Sequence, residues 1–76
     1  MEYKGKPGEM RFQIGDIVVL SESYAWPLRG KFRGQIVGFS RGLLDINGNP
    51  VARVKRLDLA SGNVQTWGQG WLEKEA

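Results

Sequence analysis

Residues 51–67, VARVKRLDLASGNVQTW, decide the fold because they contain two alternating runs on either side of a turn. In the first run Arg53 and Lys55 share one face and Val54 lies on the other, which is the period of two of a β-strand. Ser61-Gly62-Asn63 supplies turn residues, and the second run, VQTW, alternates again. The stretch therefore predicts two antiparallel strands with an exposed polar face.

The flanking sequence adds three more short strands. IVVL follows a Gly15-Asp16 turn signal, GQIVGFS contains Gly38 as a candidate bulge, and LEKE follows a possible single helical turn, GQGW. Asn47-Gly48 is a turn signal between the second and third strands, and no window has a helical period. The sequence thus predicts an all-β fold, a small SH3-like barrel of about five strands over 12–76, with a flexible N-terminal arm over 1–11.

Size and composition restrict the chemistry available to the chain. Its 76 residues favour one domain, and a domain this small buries only about 60% of its unfolded surface, so a compact core, self-association or both must stabilise it. Cys and His are both absent, so disulfides, Cys/His zinc sites and His-based catalysis are excluded, and no metal is expected. An enzyme built from this chain would bind and position reactants while a cofactor carries the reactive atom.

The charge balance gives a weaker indication. Lys and Arg number 11 against 8 Asp and Glu, a net charge of +3, which suits an anionic partner or serves ordinary solubility. A signal-peptide pattern and a long apolar run are both absent, so a cytoplasmic protein with no membrane association is expected.

A basic segment, LRGKFRG, precedes the second strand. Arg29, Lys31 and Arg33 alternate with Leu28 and Phe32. The segment has two interpretations. It holds phosphates with its cations, or it is a solvated loop whose Phe32 packs inward.

The fourth strand has two distinct faces. Val64 and Thr66 share one face, and Gln65 and Trp67 share the other. The Gln65 amide is both donor and acceptor, and an indole is a stacking surface. The strand is either an ordinary one with Trp67 in the core, or a surface that meets a partner.

Two motifs in this order resemble a known family. RGQIVGF, followed after a turn and a strand by GNVQTWGQGWLE, is similar to the type II, plasmid-borne, trimethoprim-resistant dihydrofolate reductases. The similarity covers about residues 13–74, including Gly15-Asp16 before the first core strand. Members of that family are short SH3-like barrels with a flexible N-terminal arm.

The resemblance implies an NADPH-dependent dihydrofolate reductase that is insensitive to trimethoprim. It implies a homotetramer in which four copies of the Val-Gln-x-aromatic strand line one central pore. NADPH and dihydrofolate enter from opposite ends, hydride passes directly between them, and the proton comes from solvent. The alternative is a non-catalytic SH3-like binding module for nucleic acid or protein.

The resemblance also assigns roles to residues of the fourth strand. Val64 and Thr66 would offer backbone groups to the nicotinamide or pterin, and Gln65 would line the centre of the pore, outside the barrel core. Trp67 stands where the family has Tyr, and Thr66 where it has Ile.

One family residue has no counterpart in this chain. The family has a Lys after the first strand that attracts the anionic tails of both ligands, and Leu20 stands at that position here. The loop that ends at Gly34 is longer here than in the family, and Arg29 or Lys31 in that loop is the candidate anion-binding substitute.

Overall fold

The computed structural model describes residues 3–21 and 32–75, which form five β-strands and one short 3₁₀ turn. The all-β class and the strand count predicted from the sequence are confirmed. The elements are β1 Ile17–Leu20, β2 Gly34–Leu44, β3 Pro50–Arg56, β4 Val64–Trp67, the 3₁₀ turn Gln69–Trp71, and β5 Leu72–Lys74.

The strands form one antiparallel sheet in the order β4-β3-β2-β1-β5. A single apolar core takes side chains from four of the strands and from the segments that precede β1 and β2, and Trp67 of β4 packs against it. Both edge strands of the sheet therefore meet the same core, so the sheet is curved around that core. The core residues are Phe12, Val18, Leu20, Phe32, Ile36, Ala52, Val54 and Leu72.

Strand β2 carries the bulge that the sequence predicts at Gly38. Ile36 pairs with Val54, but the next pair is Gly38 with Arg53, so β2 has one extra residue, Val37, at this point. A bulge bends and twists its strand locally, which helps an 11-residue strand follow the curvature of the sheet.

The turn between β2 and β3 is built on one carboxylate. Asp45 Oδ1 accepts the backbone N–H groups of Asn47 and Asn49, each at 2.9 Å. Gly48 has a φ of +78° and donates its N–H to the Asp45 carbonyl at 2.9 Å. The predicted Asn47-Gly48 turn is thus present, and its positive φ explains the glycine.

The N-terminal segment, residues 3–11, lies against the sheet, which differs from the flexible arm expected from composition. The Tyr3 hydroxyl donates to Asp45 Oδ2 at 2.6 Å, and the Tyr3 ring meets the Trp71 ring edge to face at 4.9 Å between centroids. At Gly70 a Cβ would lie 2.4 Å from both the Lys4 carbonyl oxygen and the Tyr3 ring, so only glycine permits this approach.

The second half of the segment is fixed through backbone groups. The Arg11 N–H donates to Gln69 Oε1 at 3.1 Å, and Arg11 Nη1 donates to the carbonyls of Gln69 and Leu72 at 2.9 and 3.0 Å. The Gly8 N–H donates to Asn49 Oδ1 at 2.8 Å. Side-chain-to-backbone bonds of this kind leave no period in the sequence, which is why composition did not reveal them.

Within the described residues no helix combines the length and the apolar character that crossing a membrane requires.

Deleting residues 1–9 tests the role of the N-terminal segment. The deletion removes the Tyr3–Asp45 hydrogen bond and the Lys4–Glu73 ion pair, whose atoms are 3.0 Å apart. We expect the midpoint of thermal unfolding, followed by circular dichroism, to fall by at least about 4–8 °C, the shift produced by roughly 1 kcal/mol in a domain this small. Lys6→Ala, which alters an exposed side chain in the same segment, should leave the midpoint unchanged. An unaltered midpoint after the deletion would mean that the segment contributes nothing to stability.

Candidate ligand site at the edge strand

Strand β4 is an edge of the sheet, and its two faces differ in exposure. It pairs with β3 in a regular register in which Thr66 lies opposite Arg53 and Val64 opposite Lys55. Val64 and Thr66 are exposed, whereas Gln65 and Trp67 are half-buried. This is the alternation expected from the sequence.

The backbone of β4 leaves alternate residues free at the open edge. The Arg56 N–H donates to the Asn63 carbonyl at 2.8 Å, which makes these two residues a hydrogen-bonded pair. Hydrogen-bonded and non-hydrogen-bonded pairs alternate along an antiparallel ladder, so the next hydrogen-bonded residue on β4 is Gln65. The N–H and C=O groups of Val64 and Thr66 therefore point away from β3. Among the described strands β4 has no second neighbour to receive them.

The Gln65 side chain is held in one orientation by two donors. Its Oε1 accepts from Arg56 Nη1 at 3.1 Å and from Trp67 Nε1 at 3.2 Å. Neither partner can accept a hydrogen bond at those atoms, so the amide oxygen must face them and the NH₂ group must face away. That NH₂ group donates to no residue of the described chain. Gln65 thus presents an oriented donor beside the free backbone groups of β4.

A buried cation anchors this arrangement. Arg56 is only 6% exposed, and its guanidinium carbon lies 4.5 Å from the centre of the Phe32 ring. Arg56 Nε donates to Asp58 Oδ1 at 2.7 Å, and Nη2 pairs with Oδ2 of the same carboxylate. The side-chain hydrogen bonds from Arg56, helped by the backbone N–H of Arg33, lower the pKa of Asp58 to about 2, although partial burial acts in the opposite direction.

Trp67 forms a wall of the site. Its ring meets Phe32 at 5.0 Å between centroids with an interplanar angle of 75°, and it packs against the core. The indole N–H donates to Gln65 Oε1, so Trp67 helps to hold the amide in place. Trp67 packs against the core, as the first interpretation of the strand expects, and a partner-binding surface stays a prediction.

Of the positions considered for anion binding, one is buried in the core and the others lie outside the described residues. Leu20 is 2% exposed and belongs to the core, so its position cannot meet a ligand. Arg29 and Lys31 lie outside the described residues. Phe32 packs inward, as the second interpretation of the basic segment expects, and Arg33 forms a bidentate pair with Glu75 at 2.7 and 3.1 Å.

Two other cations lie beside β4. Arg53 and Lys55 are exposed on the outer face of β3, opposite Thr66 and Val64. These are the non-hydrogen-bonded pairs of the ladder, in which side chains of the two strands lie closest together. Within the described chain neither cation has an ion-pair partner. Alternation in the sequence predicts the exposed face of both residues but gives no sign of an anion-binding role.

Among residues 3–21 and 32–75 no group of three or more acidic side chains is placed to hold a metal ion.

No protein-family model, curated protein or solved structure matches the chain.

The Arg56–Asp58 pair predicts a loss of stability in acid. Because the folded-state pKa of Asp58 is lowered to about 2 from an ordinary value of 3.8, its contribution is present above pH 3.8 and is lost as the pH falls toward 2. Urea unfolding measured across this range should show a falling free energy of unfolding in the wild type and a flatter profile in Asp58→Asn. Glu9→Gln, at an exposed carboxylate 3.7 Å from Arg11, should keep the wild-type slope. A wild-type slope in Asp58→Asn would assign the acid sensitivity to another group.

Gln65→Ala tests the anchoring of the amide. The sequence interpretation places Gln65 outside the packed core, where the substitution changes stability little. In the structure the same substitution removes the acceptor of Arg56 and of Trp67. We expect a loss of about 1–3 kcal/mol in the free energy of unfolding, because the buried guanidinium of Arg56 loses a hydrogen-bond acceptor. Thr66→Ala, at an exposed neighbour, is the control and should cost under about 0.5 kcal/mol. Equal stabilities would show that the Gln65 contacts carry no net energy.

Proposed function

We propose that this chain is an NADPH-dependent dihydrofolate reductase that acts as a homotetramer, with β4 in the wall of a shared pore. The observation that carries the proposal is the Gln65 amide, whose oxygen is fixed by Arg56 and Trp67 and whose NH₂ group donates to none of residues 3–21 and 32–75. Next to it, the backbone groups of Val64 and Thr66 face an open edge. The strand therefore offers donors and acceptors in fixed positions.

These groups suit the two reactants. The nicotinamide carboxamide and the pterin ring both carry adjacent donors and acceptors in one plane, and an extended strand edge can pair with such a plane. NADPH, when bound, supplies the hydride. The chain's own contribution is to hold the two rings in contact. Positioning two reactants in this way removes a large part of the activation barrier of a two-substrate reaction. No acid or base of the chain is required where solvent supplies the proton.

Self-association supports the same proposal. A single β4 edge is open on one side, so one chain alone cannot exclude water from two ligands. Closed symmetric assemblies repeat the same surface in every copy, and four copies would place four Gln65 amides around one channel. The unpaired edge of β4 and the exposed side chain of Val64, 48% accessible, are surfaces that such an assembly would cover.

Arg53 and Lys55 supply the charge that the ligands need. NADPH carries phosphates and dihydrofolate carries carboxylates, and both tails would extend beyond the rings held at β4. The two cations lie opposite Thr66 and Val64, on the outer face of the neighbouring strand. We assign to them the attraction of the anionic tails, since Leu20 is buried.

The same two cations favour one alternative. A strand face with Arg53, Lys55 and Gln35 would also bind the phosphates of a nucleic acid, as a binding module without chemistry. That function needs neither four copies nor affinity for NADPH. Oligomeric state and cofactor binding therefore distinguish the two functions.

The reductase test combines sedimentation with titration and turnover. We expect a tetramer at micromolar concentration, saturable NADPH binding by calorimetry, and dihydrofolate-dependent loss of NADPH absorbance that persists with trimethoprim. Gln65→Glu retains an acceptor for Arg56 and Trp67 but lacks the NH₂ donor. It should keep the tetramer while weakening binding of both ligands by about 0.5–1.5 kcal/mol for each hydrogen bond lost.

The controls separate the site from the assembly. Gln13→Glu makes the same change at an exposed residue that precedes β1, outside β3 and β4, and should leave turnover nearly unchanged. A protein that stays monomeric at high concentration and shows no saturation at millimolar NADPH would overturn the reductase and leave only the fold. In that case, salt-sensitive binding of a nucleic acid that is lost in Lys55→Gln would support the binding module.

A further inference from the structure

A pocket separate from the β4 site lies between the N-terminal segment and the turn that joins β2 to β3. Its volume is about 230 Å³, and it is lined by Tyr3, Asp45, Ile46, Val51, Gly68 and Trp71. Pockets for drug-sized ligands have volumes of about 300–1,000 Å³, so this one suits a smaller group. None of its lining residues belongs to the β4 site proposed above.

Two aromatic rings make one corner of the pocket. The Tyr3 and Trp71 rings are nearly perpendicular, at 88°, with centroids 4.9 Å apart. Gly68 makes room for this arrangement, because a Cβ there would lie 2.6 Å from the Tyr3 hydroxyl oxygen. Aromatic faces attract cations through their quadrupoles, most strongly where water is partly excluded.

The charge in the pocket comes from Asp45. This half-buried carboxylate accepts three hydrogen bonds, from the Tyr3 hydroxyl and from the N–H groups of Asn47 and Asn49. All three donors are neutral, and no cation of the described chain pairs with Asp45. Arg11, whose charge acts on Tyr3, does not line the pocket and is engaged by backbone carbonyls and Glu9.

The remaining walls are apolar. Val51 is half-buried, and Ile46 at the rim is 80% exposed. A carboxylate, an aromatic corner and aliphatic walls together select a cation that carries its own methyl or methylene groups. A metal ion or an ammonium ion without carbon would leave the aliphatic walls unused.

We propose that the pocket bounded by Tyr3, Trp71 and Asp45 binds an alkylammonium cation. The cation would lie against the two rings with its charge toward the carboxylate, and its alkyl groups would cover Ile46 and Val51. The same chemistry is presented by a free quaternary amine and by a methylated lysine side chain of another protein. This proposal does not depend on the function proposed for β4.

The test uses choline as the probe and 3,3-dimethylbutanol as its neutral counterpart of the same shape. The readout is the NMR signal of the Trp71 indole N–H, assigned with Trp71→Phe. Choline should shift this signal in a saturable way, and the neutral counterpart should bind at least about tenfold more weakly, since it lacks the charge. Two outcomes would overturn the proposal. One is the absence of a shift at choline concentrations up to about 0.1 M, where even a site weaker than millimolar would fill. The other is equal affinity for the neutral compound.

Two variants keep the test independent of folding. Asp45→Asn retains an amide oxygen for the Asn47 and Asn49 N–H groups but removes the charge, and choline affinity should fall at least about tenfold. If that variant is unfolded, Ile46→Lys replaces it, because it places a cation at an exposed position on the rim of the pocket and should lower choline affinity to the same extent. Wild-type choline affinity in whichever of the two variants folds would overturn the proposal.

Glu73→Gln is the matched control. Its carboxylate pairs with Lys4 in the same N-terminal segment but does not line the pocket, so it should bind choline like the wild type. An equal loss in Glu73→Gln would show a general charge effect and overturn the site. A short peptide with one trimethyllysine then distinguishes the two sources of the cation. A peptide affinity well above that of choline identifies a protein side chain as the ligand, and an equal affinity identifies a free amine.

Discussion

The buried guanidinium of Arg56 is the constraint on which the edge strand depends. It lies over the Phe32 ring with 6% exposure, and a desolvated charge is tolerated only where its N–H groups have partners. Asp58 accepts from two nitrogens and Gln65 from a third. The end of β3, the turn that follows and the middle of β4 are thereby joined through one side chain. A Gln65 amide without Arg56 and Trp67 would be able to rotate, and its NH₂ group would lose the fixed direction on which the proposed ligand contact relies.

The strands were predictable because their signals are local. Alternation in VARVKR and VQTW, and Gly48 with a positive φ in the turn, each act within a few residues of sequence. The placement of the N-terminal segment was not predictable in the same way. Its bonds join Tyr3 to Asp45 and Arg11 to Gln69, 42 and 58 residues apart in the chain, and no periodic pattern encodes such pairs. Gly70, which admits the Tyr3 ring, looks like any other glycine in the sequence.

The site was predictable in part for the same reason. A period of two separates Gln65 from Val64 and Thr66, and the structure places them on opposite faces. The sequence does not say that Arg56 holds the Gln65 oxygen, because this contact requires the register between β3 and β4. Nor could counting along the chain show that Arg53 lies beside the strand edge while Leu20 is buried. Register and curvature decide which charges are available, and both are properties of the folded sheet.

Two glutamines four positions apart show how the fold separates support from function. Gln69 is 1% exposed, and its amide is fully used: Oε1 accepts from the Arg11 N–H, and Nε2 donates to the Pro50 carbonyl at 2.7 Å. That amide joins the N-terminal segment, the start of β3 and the turn after β4, so it fixes the point at which β4 ends. Gln65 has the same chemical groups, but among the described residues only its oxygen forms hydrogen bonds. The contacts with Arg56 and Trp67 therefore orient the Gln65 NH₂ group as a consequence of holding the oxygen, and the ligand contact proposed above uses that orientation.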